Sequence, residues 1–283
     1  MLNDLDKKLL ESKIDLANRK KNRFSFFRFH SFFKLLKDHI KKLLLLNLLY
    51  FIFLIPGLWW TELNLHVILN LKNQFDSYFL IYIIVLIPCL MFAGPATAGI
   101  TYIVRNLIKN KSVVLWNDFK QQSKRYLKSS FSLMLINGLA LLIFFIAIQY
   151  SAAKSQQNVL FFILQNLILI FAVIYAMMNI FTFPMLITFE LPVQKILKNA
   201  FVFTIIKLPL NFIILLITLL PFLMLRLLLP IWLFIFIYLA IGFSFTSVIL
   251  NIYVDAVFEK YLKLDSLNHK SDRKYKRWNE NKT

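Results

Sequence analysis

Five asparagines interrupt apolar stretches of this chain: Asn47, Asn137, Asn179, Asn211 and Asn251, each a few residues inside the same end of a different stretch. An asparagine amide carries donors and acceptors but no charge, so the chemistry on offer is hydrogen bonding. Two uses fit. One is glue between helices, at roughly 0.6–2 kcal/mol per contact; the other is a polar vestibule for a small neutral solute. A second constellation is Ala93-Gly94-Pro95-Ala96-Thr97-Ala98-Gly99, preceded by Pro88. Small residues four apart let backbones approach closely, and each proline frees a carbonyl inside a helix. Close packing explains this, and so does the lining of a solute path through Pro88, Gly94 and Pro95.

Other chemistries find little purchase. Ionisable groups inside a bilayer mark ion paths and proton relays, yet Asp118, Glu190 and Asp255 all fall near the ends of apolar stretches. That argues against ion-coupled transport and against proteolysis by an aspartate pair. His30, His39, His66 and His269 are scattered without metal-ligand spacing. Cys89 is the single cysteine, which excludes a disulfide within the chain and a multi-cysteine metal site. There is no glycine-rich phosphate loop. The expectation is a protein with no catalytic residue, no metal and no cofactor, that is, not an enzyme.

The elements that must position these residues follow from composition. Of 283 residues 59% are hydrophobic, 30 are Phe and only 5 are Gly, so lipid must solvate most of the surface. Spans are expected near 43–60, 79–99, 131–150, 159–183, 207–225 and 228–252, each long enough to cross a hydrocarbon core of about 30 Å. Leu208 to Leu250 is almost continuously apolar and reads as two crossings, with Pro221, Arg226 and Pro230 supplying the turn. Of the 33 Lys and Arg residues, 30 lie in 1–42, 100–130, 184–207 and after 252, and 3 in the intervening segments. That bias puts both termini in the cytoplasm.

The expected fold is an all-α polytopic membrane bundle of six transmembrane helices, N-in and C-in, with interfacial amphipathic helices. Residues 1–42 form a basic, aromatic juxtamembrane segment, 43–254 the transmembrane domain, and 255–283 a charged tail expected to be disordered. The length of the polar stretch before the first span argues against a cleavable signal peptide. The net charge of +19 is matched to anionic lipid headgroups rather than to nucleic acid, because the basic residues flank spans.

Val113 to Phe131 reads as one interfacial helix, with Leu115, Trp116, Phe119, Tyr126, Leu127 and Phe131 on its apolar face and Lys120, Lys124 and Lys128 opposite. A second begins at Pro192 and carries Val193, Ile196, Leu197, Ala200 and Phe201. Arg105, Trp116, Asp118, Phe119 and the three lysines make a candidate surface for lipid or for a protein partner.

Asn47-Leu48-Leu49-Tyr50 running to Pro56-Gly57, then Gly94-Pro95-Ala96-Thr97-Ala98, Arg105 and Trp116-Asn117-Asp118-Phe119 together resemble the YesL-like integral membrane family, domain of unknown function 624. The resemblance is densest over residues 40–135. It implies a bacterial cytoplasmic-membrane protein associated with carbohydrate-uptake or sensor-kinase systems, without an established activity. The leading expectation is therefore a non-enzymatic accessory or scaffold protein of a solute-uptake or sensing system, with transporter or sensor-kinase subunits as partners. The alternative is a transporter or permease subunit that moves a small neutral solute through the bundle.

Overall fold

A computed structural model describes residues 32–280 apart from 34, 65, 66, 68–74, 156, 157, 231, 232, 234 and 235. The basic aromatic stretch before residue 32, and the side chains of Arg226 and Trp232, lie outside the described residues. An apolar segment in lipid must satisfy its backbone groups internally, which a helix does. The chain is accordingly all-α among the described residues. Its helices are α1 (Leu35–Asn64), α2 (Phe75–Met91), α3 (Ala93–Ile108), α4 (Leu115–Arg125), α5 (Leu127–Ser155), α6 (Val159–Phe189), α7 (Val193–Ile206), α8 (Leu208–Leu228) and α9 (Phe243–Glu280), with a π-helical turn, Tyr238–Gly242, leading into α9.

Among the described residues, five stretches are long and apolar enough to cross a bilayer: α1, α5, α6, Leu208–Leu225 of α8, and Tyr238–Tyr261. Tyr78–Met91 and Ala93–Ile108 qualify together as a sixth crossing, bent by 44°. The protein is a multi-pass membrane protein. The second expected span, 79–99, is thus two helices. Pro95 has no N–H to donate to the Met91 carbonyl, and its ring crowds that carbonyl, so the ladder fails at Phe92.

Two further expectations are corrected. Pro221 sits inside α8 rather than in the turn, which falls at Leu229 and Pro230; bilayer helices tolerate an internal proline. The single helix over Val113 to Phe131 is broken at Tyr126, where α4 ends and α5 begins. The backbone of α9 continues to Glu280, since extending a helix already nucleated in the bundle costs little.

Beside a smaller cluster of Tyr82, Ile83 and Ile87 of α2, two clusters make up most of the core among the described residues. One gathers Met177 to Leu186 of α6 with Leu133, Ile196, Ala200, Val254 and Phe258. The other packs Leu43, Leu46 and Leu49 of α1 against Ile100, Ile103, Val104 and Leu107 of α3, with Phe119 of α4 and Val248 of α9. The second expected amphipathic helix, α7, therefore turns Ile196 and Ala200 into the protein core. Most of α5 and α6 beyond that core presents apolar side chains such as Leu141, Ile143, Ile170 and Phe171 outward, where lipid is the solvent.

Glycines let α3 sit at the centre. A Cβ at Gly94 would lie 2.7 Å from the Ser130 carbonyl oxygen, and one at Gly99 would lie 2.6 Å from Ser123 Oγ and 2.8 Å from the Phe119 ring. Backbone cannot move aside as a flexible side chain can. Gly94→Ala is expected to cost about 1–3 kcal/mol, as overpacking does, read as a lower midpoint of thermal unfolding in detergent. An unchanged midpoint would mean that α3 and α5 are not this close.

Candidate functional site

Helices α1, α3, α6 and α9 and the π-helical turn line an uncharged, mostly apolar cleft of about 220 Å³ that also carries hydroxyl and amide groups. Its hydroxyls come from Tyr50, Thr97, Thr101, Tyr238, Thr246 and Ser247, its amides from Asn179 and Asn251, and its apolar wall from Ile100, Ile180, Phe183, Pro184, Phe243 and Leu250. None of these residues is charged. The volume is below the roughly 300–1,000 Å³ of drug-sized ligand sites, so the cleft suits a small molecule.

The local sequence explains these positions. Thr97 and Thr101 are four apart on α3, as are Ser247 and Asn251 on α9, which stacks each pair on one helix face. Tyr50 and Thr97 hydroxyls pair at 3.1 Å across α1 and α3, and Thr97 also donates to the Ala93 carbonyl at 2.8 Å. Pro184 lacks an N–H, so the α6 ladder bond to the Ile180 carbonyl cannot form. Both residues line the cleft.

The five asparagines do not form one layer. Three tie helices together. Asn137 Oδ1 on α5 accepts from Tyr175 of α6 at 2.7 Å. Asn211 of α8 donates to the Phe203 and Thr204 carbonyls of α7 at 3.2 and 3.0 Å and accepts from Tyr253 of α9 at 2.6 Å. Fully buried Asn47 reaches from α1 into the π-helical turn: Nδ2 donates to the Ala240 carbonyl at 2.6 Å and to Ser244 Oγ at 2.8 Å, and Oδ1 accepts from the Ser244 N–H at 2.8 Å. In an α-helix the Ser244 N–H would bond the Ala240 carbonyl itself. The Asn47 amide has inserted into that step of the ladder and satisfies both groups, one of the recognised causes of a local helix break.

Asn179 and Asn251 behave differently. Their Nδ2 groups bond only within their own helices, to the Tyr175 carbonyl at 3.1 Å and to the Ser247 carbonyl and hydroxyl at 2.8 and 3.1 Å. Both Oδ1 atoms are buried without a hydrogen-bond partner. A buried acceptor left unmade costs about 1–3 kcal/mol, and both amides belong to residues that line the cleft, so a rotation of either side chain would offer its acceptor to a donor there.

The candidate path and docking residues divide in the same way. Gly94 and Pro95 are buried against neighbouring helices and do not line the cleft, while Pro88 lies on the exposed side of α2. Arg105, expected on a docking surface, is 5% exposed and forms an ion pair with Asp255 of α9; its guanidinium also lies 5.9 Å from the centre of the Phe258 ring. Asp255 is thereby drawn out of water, contrary to the expectation from its place near a span end. Asp118 accepts from the Val114 N–H at 2.9 Å and so closes the first turn of α4, where its charge also suits the helix N-terminus. Phe119 and Tyr126 point into the bundle and Trp116 outward at 61% exposure. Lys120, Lys124 and Lys128 remain exposed.

Beside those lysines Arg125 donates to Glu190 Oε1 at 2.6 Å and the Tyr126 hydroxyl to the same oxygen at 3.1 Å. Burial, together with that bond to Glu190, pushes the Tyr126 phenol above its ordinary range, so it stays a donor at neutral pH. The pair joins the ends of α4 and α6.

Sequence reasoning missed the Arg105–Asp255 pair and the cleft hydroxyls. Opposite charges at matching ends of two apolar segments signalled the first, and the four-residue spacing of Thr97 with Thr101 and of Ser247 with Asn251 signalled part of the second.

The fold and site define a multi-pass helical membrane protein with a small uncharged cleft inside the bundle. Residues 43–148 match the family model described as a protein of unknown function, DUF624, the domain that the resemblance named. Neither the curated proteins nor the solved structures give a match.

Proposed function

We propose that this protein is a non-enzymatic membrane component of a carbohydrate- or solute-uptake or sensing system, and that the uncharged cleft is where it meets the solute. The observation that carries the reading is the pair of unpartnered acceptors, Asn179 Oδ1 and Asn251 Oδ1, in a cleft without charge. A polyol or a sugar is rich in hydroxyl donors and suits such a lining; an ionic solute does not. The association with uptake or sensing rests on the family resemblance. The family resemblance implies a bacterial cytoplasmic membrane, and the bias of basic residues supports both termini inside, which leaves Lys120, Lys124 and Lys128 facing a cytoplasmic partner.

The test pairs binding with stability. Wild-type protein in nanodiscs, titrated calorimetrically with small polyols and monosaccharides, is expected to bind at least one, and Asn179→Leu/Asn251→Leu to bind it at least tenfold more weakly. Because neither asparagine bonds a second helix, the double variant should unfold at the wild-type temperature or above. A lowered unfolding temperature with no solute bound by either protein would return both residues to a structural role. Flux of the bound solute into liposomes would favour the transport reading over the accessory one.

A further inference from the structure

A second concavity, of about 710 Å³ and mostly apolar, runs between α8 and α9 beneath the start of α1. From α8 come Leu210, Ile214 and Ile217, and from α9 Phe245, Ile249 and Ile252. These positions recur every three or four residues, so each helix gives the groove one face. Lys207 to Pro221 spans about 21 Å at 1.5 Å per residue, which exceeds half of a hydrocarbon core of about 30 Å. An acyl chain from one leaflet fits along it.

The polar residues are confined to one end. Lys207 opens α8 and Lys260 lies on the last described turns of the α9 lining, so the antiparallel helices bring two cations to the same mouth. Lys207 Nζ lies 5.7 Å from the centre of the Tyr261 ring, which holds it there. Neither acid of this part of α9 is among the described lining residues: Asp255 pairs with Arg105, and Glu259 is exposed outside the groove. An apolar channel with two cations at one mouth complements one occupant in both halves, a chain of hydrocarbon under a phosphodiester.

We infer that this groove is a binding site for an anionic glycerophospholipid, with an acyl chain between α8 and α9 and the headgroup phosphate at Lys207 and Lys260. The site is separate from the solute cleft and does not depend on it.

Native mass spectrometry of the full chain, released from nanodiscs of dioleoyl phosphatidylglycerol or dioleoyl phosphatidylcholine, tests this. Wild-type protein should retain one phosphatidylglycerol in preference to phosphatidylcholine. A surface lysine contributes about fivefold, so K207Q/K260Q should lose roughly 25-fold of that preference while keeping its fold. I217W, which fills the channel and leaves both cations, should reduce retention of either lipid. Equal retention of the two lipids by wild type would overturn the proposal, as would a preference unchanged in K207Q/K260Q. A lipid-free dimer would do the same, since a second copy would then occupy the groove, and so would lipid retained only after deletion of residues 1–31, since the chain's own N-terminal segment would then be the occupant.

Discussion

Replacing Asp255 by alanine is expected to lower the stability of the bundle by about 3–5 kcal/mol, the cost of leaving one partner of a buried ion pair uncompensated. The Arg105 and Asp255 side chains are only 6% and 12% exposed. Arg105 Nη1 has no hydrogen-bond partner, so its bond to Asp255 is what offsets the loss of solvent. The two residues sit on α3 and α9, two of the helices that wall the cleft, through Thr97, Thr101, Ser247 and Asn251. Loss of the carboxylate therefore loosens the cleft as well as the fold. Arg105→Met should be costly for the reciprocal reason. The double variant Arg105→Met/Asp255→Leu should recover most of the loss, because an apolar pair of similar volume often replaces a buried salt bridge at little cost. Unfolding in mixed micelles measures all three. Additive losses in the double variant would show that the two groups do not interact.

The second large effect belongs to Asn47. Asn47→Leu removes three hydrogen bonds and strands the Ala240 carbonyl and the Ser244 N–H in the protein interior. Interhelical bonds in bilayers average about 0.6 kcal/mol with a maximum near 1.7, and a stranded buried backbone group costs about 1–3 kcal/mol. The expected loss is about 2–4 kcal/mol. There is one escape: the Ser244 N–H can bond the Ala240 carbonyl directly, which converts the π-helical turn to α-helix. Removing the extra residue from the turn rotates everything before it by about 100° and carries Tyr238 off the wall of the cleft. Either route is expected to weaken the proposed solute binding. Hydrogen exchange tells them apart, since the Ser244 amide is exposed in the first and protected in the second. Wild-type stability and wild-type exchange at Ser244 would show that Asn47 does not hold the turn.

Gly94 and the two cleft asparagines extend the same logic to smaller effects. Gly94 reports on how closely α3 meets α5. Asn179 and Asn251 test whether residues that line the cleft also hold the bundle together.

The sequence by itself determined the class of the protein. Long apolar runs in lipid satisfy their backbone as helices, so six crossings could be expected from hydropathy and length, although the second runs as two helices over Tyr78–Ile108, bent where Pro95 breaks the ladder, and the last lies at Tyr238–Tyr261 rather than 228–252. It also marked the five asparagines as the polar groups that matter, because an uncharged amide inside an apolar run is costly unless it bonds a neighbouring helix or a polar ligand. Tertiary structure decided what each does. Asn47, Asn137 and Asn211 found partners on other helices, whereas Asn179 and Asn251 kept an acceptor open. That difference depends on which helices are neighbours, and apolar helices in lipid carry little pattern to fix their neighbours. Arg105 shows the same limit. Its position at a span end is equally consistent with a lipid-facing cation and with a buried one, and only the approach of α9, which brings Asp255 across some 150 residues of sequence, turns it inward.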